Sequence, residues 1–84
     1  MTNNHIIIYM ITQAQIQKRL ADAIRQSGIT QTELSKKLKI SQSCIAHYIK
    51  GDIMPALDTF ANICAILDID PADILCLNEA KSAI

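Results

Sequence analysis

Two signatures of helix initiation, Thr12-x-x-Gln15 and Thr30-x-x-Glu33, flank Gly28 and commit the first half of this chain to helices. In each, the Thr hydroxyl can accept the backbone N–H three residues on, while the Gln or Glu side chain reaches back to the Thr N–H. Ile11 and Ile16 add the spacing of a hydrophobic staple around the first start. Ile16, Leu20, Ala23 and Ile24 recur at steps of three and four, and Gly28 supplies a stop, so a first helix is predicted near 13–27. Thr30 then opens a short second helix, about 31–38, carrying Leu34 and Leu38. Ser41 can cap a third, near 42–50, with Ile45, Tyr48 and Ile49 on its apolar side and Gly51 ending it in the left-handed conformation that glycine tolerates. Beyond a turn at Asp52 to Pro55, Leu57, Phe60, Ile63, Cys64 and Leu67 keep the helical period to about residue 67. Asp70 followed by Pro71 reads as an N-cap with proline at the first helical position, and Ile74 with Leu75 gives this short fifth helix its apolar face. The expectation is an all-α, compact five-helix domain over residues 12–77, with a short apolar N-terminal extension at 1–11 and a tail at 78–84.

Eighty-four residues sustain one modest core and leave no room for a two-domain enzyme. Aromatic residues are confined to Phe60, Tyr9 and Tyr48, so Ile, Leu and Ala must supply that core, as suits packed helices. The longest apolar run, Ile6 to Ile11, is far short of the roughly 20 residues of a membrane span and lacks the preceding basic residue of a secretory signal. No membrane association is expected, and a cytoplasmic location is. Cys44, Cys64 and Cys76 form no C-x-x-C pair, which speaks against a disulfide framework or a zinc site and for reduced thiols. Cys64 suits a small buried position and Cys76 a place in or near the core, while His5 reads as surface. Cys44 and His47, three apart on one helix, have the types to bind metal or to pair as nucleophile and base. With neither a further ligand cluster nor a positioned carboxylate expected beside them, no metal, cofactor or catalysis is inferred. The β-branched run Ile6 to Ile11 admits three readings: an extension of the first helix on a buried face, a strand paired with its symmetry mate, or a disordered start. Its unbroken apolar character favours burial, against this domain or a second copy.

Net charge is zero, yet its distribution is lopsided. Residues 1–50 hold seven basic side chains against two acidic ones, a balance of +5, and residues 51–84 hold one against six, a balance of −5. One face should attract a polyanion and another repel it, which orients a molecule on nucleic acid.

The second and third helices, each capped by a hydroxyl and joined by the tight Lys39-Ile40 turn, fit a helix-turn-helix. In that device the second helix enters the major groove with its N-terminal side chains at base edges, and the first crosses the backbone. Gln42, Ser43, Ala46, His47 and Lys50 point away from Ile45 and Tyr48. Gln pairs bidentately with adenine, Ser reads donor or acceptor, and His or Lys reaches guanine or phosphate. The N-terminus of the second helix, with Gln31, is a ready anion site for a backbone phosphate. Lys36, Lys37 and Lys39 adjoin the motif and are expected to face DNA with it.

The run ITQTELSKKLKISQSCIAHYIKGDIMPALDTFANICAILDIDPADIL resembles the Cro/C1-type helix-turn-helix family of phage repressors and related bacterial regulators, over about Ile16 to Leu75. T-Q-x-E-L, S-Q-S-x-I, the Gly51 stop, P-x-L-x-T-F and the closing D-I-L come in the family's order and spacing. The resemblance implies a lambda-repressor-like fold and a non-catalytic regulator binding double-stranded operator DNA as a homodimer. It implies base contacts from Gln42, Ser43 and His47 and backbone contacts from Thr30, Gln31, Lys36 and Lys50. Three departures stand out. Lys39 replaces the usual Gly of the turn, Asp52 stands where a basic residue is common, and Ile24 and Ile49 occupy positions where many members pair Arg with Glu. An apolar contact between Ile24 and Ile49 is expected instead. Zero net charge and Asp52 also leave open an interaction module or antitoxin-like protein that binds a protein partner with the same fold.

Overall fold

Each predicted start signal is found capping a helix, and each predicted stop is found in the left-handed region. The computed structural model describes residues 10–78, so His5 and the segment from Ile6 to Tyr9 lie outside the described residues. Among the described residues five helices are bounded at both ends, in order: α1 (Gln13–Ser27), α2 (Gln31–Leu38), α3 (Gln42–Lys50), α4 (Leu57–Leu67) and α5 (Pro71–Ile74). Both Thr boxes close. The Thr12 hydroxyl accepts from Gln15 N at 3.2 Å while Gln15 Oε1 accepts from Thr12 N at 2.9 Å, and Thr30 and Glu33 make the same exchange at 3.1 Å each way. Ser41 Oγ accepts from Cys44 N at 3.2 Å, and Asp70 Oδ1 from Ala72 N at 3.0 Å. Of these five helices, α4 alone starts without a side-chain cap, at Ala56, behind the buried Pro55.

Four helix ends turn through a residue of positive φ: Gly28 (77°), Lys39 (59°), Gly51 (82°) and Asp68 (55°). Three of them are completed by a reach-back bond from the next residue: Ile40 N to Ser35 O at 3.1 Å, Asp52 N to His47 O at 3.3 Å and Ile69 N to Cys64 O at 3.0 Å. This geometry satisfies carbonyls that the helix ends would otherwise leave open. After three of the four turns comes an Ile (Ile29, Ile40, Ile69) that packs against the core, so stop and hydrophobic anchor arrive together. Lys39 and Asp68 lack glycine's freedom, and an L-residue held there costs roughly 1–2 kcal/mol. Lys39→Gly should therefore raise unfolding stability by up to about 1 kcal/mol, the gain reduced by glycine's larger unfolded-state entropy. A urea titration at unchanged slope would show it, and a loss of stability would mean that the turn carries no strain.

The core is assembled from Leu20 and Ile24 of α1, Leu34 of α2, Ile45 and Tyr48 of α3, Phe60, Ile63 and Cys64 of α4, and Ile74 of α5. Leu20, Ile24, Leu34, Ile45 and Ile63 are sealed from solvent almost completely. Helix α1 packs on α3 and α5, and α2 packs on α3 and α4, so the two short helices of the motif rest on a platform made by the longer ones. Ile49 is half-buried and packs against the cluster that contains Ile24. Cys64 and Cys76 are both buried, and burial, helped by nearby Asp70, pushes the Cys64 thiol up. Leu57 departs from the helical-period reading: it is 82% exposed, because it stands at the first position of α4, beyond the edge of the core.

Candidate nucleic-acid interface

A recognition surface needs short polar side chains held on a rigid backbone, and α3 supplies both. Ile45 and Tyr48 pin its inner side in the core, leaving the outer side to solvent. Burial raises the pKa of the Tyr48 phenol above its ordinary value, with smaller contributions from Cys44 and Asp58. Gln42 and Ser43 occupy the first two helical positions and are exposed. Ser43, His47 and Lys50 are spaced by four and three, so they form one row along the outer face. Arg25 of α1 steadies the far end of the helix: Nη2 donates to Ile49 O at 2.6 Å while Nη1 pairs with Asp22 at 2.9 Å. A cation at a helix C-terminus also complements the helix dipole. A charged link between the first and third helices is thus present one residue after Ile24, aimed at a backbone carbonyl instead of a carboxylate.

On α2, Gln31 is exposed at the first helical position, and Lys36 and Lys37 are exposed in the last turn, with Lys39 just after it. Thr30 is exposed too, but its hydroxyl is already occupied, accepting from Glu33 N and donating to Glu33 Oε1 at 3.1 Å. Its structural role is the cap. The Thr30 backbone N–H, and then its hydroxyl, hold the Glu33 carboxyl below the usual carboxylate range.

Two features of this surface escaped the sequence reading. Cys44 is exposed, because in the first turn of α3 no preceding turn covers it. The second is where the Asp52 carboxylate lies. Gly51 reverses the chain after α3, and Asp52 comes back to place Oδ1 3.0 Å from His47 Nδ1 and Oδ2 4.0 Å from Lys50 Nζ. The expectation that no positioned carboxylate accompanies Cys44 and His47 is therefore corrected. The reach-back bond from Asp52 N to His47 O carries the chain into place, and the Gly51 stop was the signal that could have shown it. The carboxylate meets His47 and Lys50 but does not bring Cys44 into the arrangement, since no hydrogen bond among the described residues joins the Cys44 thiol to the imidazole. Nor does any group of three or more His, Cys, Asp or Glu among the described residues have a geometry for metal.

An all-α domain whose two short, capped helices pack across a tight left-handed turn is a helix-turn-helix domain. A family model for the helix-turn-helix matches residues 20–74, well over half of the chain, and the chain belongs to this Cro/C1-type family of DNA-binding regulators. Comparison with curated proteins and with solved structures finds no significant match. No helix among the described residues is long and apolar enough to cross a membrane.

Proposed function

We propose that the chain is a transcriptional regulator that acts without catalysis, occupying operator DNA with α3 in the major groove and excluding or recruiting polymerase. The observation that carries this reading is the outer face of α3: exposed Gln42 and Ser43 at its start, His47 and Lys50 in line behind them, on a helix anchored by a sealed Ile45. In this reading Gln42, Ser43 and His47 meet base edges, and Gln31, Lys36 and Lys50 meet phosphate, with Thr30 holding the α2 N-terminus that approaches the backbone. One short recognition helix covers only a few base pairs, so useful specificity calls for a homodimer on two half-sites about one helical turn apart. Residues 12–77 are the unit that folds and binds, flanked by 1–11 and 78–84.

Asp52 restrains this surface by carrying negative charge to His47 and Lys50, two of the groups that face DNA in this reading. Exposed pairs of this kind are worth up to about 1 kcal/mol, so Asp52→Asn should tighten duplex binding up to about fivefold, on operator and random DNA alike. Fluorescence anisotropy at fixed salt measures the change. A weakened variant would mean instead that Asp52 holds His47 in its binding posture. A chain that used its apolar or acidic surfaces to capture a protein would show no duplex binding to tighten.

A further inference from the structure

Of the two ring nitrogens of His47, one is engaged among the described residues and the other is not. Nδ1 lies 3.0 Å from Asp52 Oδ1, while Nε2 makes no hydrogen bond there and the side chain is 43% exposed. An ionised carboxylate accepts hydrogen bonds and has none to donate, so in a neutral imidazole this contact calls for the proton on Nδ1. Nε2 is then left with a bare lone pair. The two nitrogens point to nearly opposite sides of the ring, so a ring tied to Asp52 through Nδ1 turns Nε2 away from that carboxylate. Asp52 is itself held in place. Its N–H donates to His47 O at 3.3 Å, and its second carboxylate oxygen lies 4.0 Å from Lys50 Nζ. We propose that Asp52 is a positioning residue that sets the tautomer of His47 and makes Nε2 an acceptor toward DNA, selecting the exocyclic amino group of cytosine or adenine in the major groove. A donating imidazole would instead seek N7 or O6 of guanine, which offer lone pairs alone. The inference rests on the reading of α3 as the recognition helix and adds to it the chemical group that His47 meets.

One arm of the test needs no DNA. Long-range proton–nitrogen correlation spectra of the free full-length chain at about pH 9, above the range in which histidine ordinarily charges, should place the His47 proton on Nδ1. In Asp52→Ala, which keeps the backbone bond to His47 O, the proton should move to Nε2, the nitrogen that an unpaired neutral histidine prefers. A wild-type proton on Nε2, or the same tautomer in both chains, would overturn the proposal. The second arm uses a duplex enriched from a random pool by the wild-type chain at the same pH, and the base pair whose preference is lost in His47→Ala. Removing the amino group at that pair, with pyrimidinone for cytosine or purine for adenine, should weaken wild-type binding about fivefold beyond its effect on His47→Ala. Asp52→Ala should lose this extra dependence. Replacing the purine N7 by carbon at that pair should leave wild-type affinity unchanged. The opposite pattern, a loss with N7 and none with the amino group, would overturn the proposal while leaving sequence reading by α3 intact. Failure of the wild-type chain to enrich any duplex would overturn that reading and the proposal with it. Asp52→Asn reports on charge instead, because its amide oxygen can still accept from the Nδ1 proton.

Discussion

Ile24→Ala is expected to cost about 2–5 kcal/mol of unfolding stability, because it removes a branched side chain that is 1% exposed at the junction of α1 with the motif. Small domains hold only about 5–15 kcal/mol in total, so the variant should unfold far below the wild-type midpoint. The cost arises from lost apolar burial and from a cavity that the helices cannot readily close, since Leu34, Ile45 and Ile63 of the same core cluster are themselves fully buried. Ile49→Ala should cost less, its side chain being only partly buried. Equilibrium urea denaturation measures both. A change near zero at Ile24 would mean that the platform under α3 is not built as described.

Gln42→Ala should lose about 1–3 kcal/mol on the best operator and almost nothing on random duplex, because a bidentate contact to a base edge carries sequence information. Lys50→Ala should fail differently, weakening both kinds of site and lowering the salt slope by about one, as expected for a lost phosphate contact. Gln42 is exposed at the first position of α3, and Lys50 is 73% exposed at its last. Neither substitution touches the core, so a binding loss with unchanged melting isolates recognition from folding. Competition titrations with specific and random duplexes separate the two behaviours, and equal losses on both duplexes for Gln42→Ala would remove it from the base-reading set.

The helices were legible in the sequence because their boundaries are written in local chemistry. Thr12 with Gln15, Thr30 with Glu33, Ser41, and Asp70 before Pro71 each satisfy N–H groups within three residues of themselves, so the signal needs no tertiary context. The stops at Gly28 and Gly51 are equally local. Lys39 and Asp68 show the limit. Each adopts the left-handed turn although nothing in its own chemistry demands it, drawn there by the burial of Ile40 and Ile69 one residue later. The outer face of α3 followed from periodicity, but the approach of Asp52 to His47 depends on how the chain leaves Gly51, a three-dimensional consequence that spacing along one helix does not contain. The exposure of Leu57 was hidden for a related reason. Helical period says which residues share a face and not where along the helix the core stops.

Whether α3 reads DNA sequence is decided by selection of pooled random duplexes with the full-length chain, followed by sequencing and by affinity measurements on the enriched site across a range of salt. An enriched motif is expected, with a log affinity that falls linearly with log salt, by about 0.9 per phosphate contacted. No enrichment, together with no salt-dependent binding to any duplex even in low salt, would contradict sequence reading by α3.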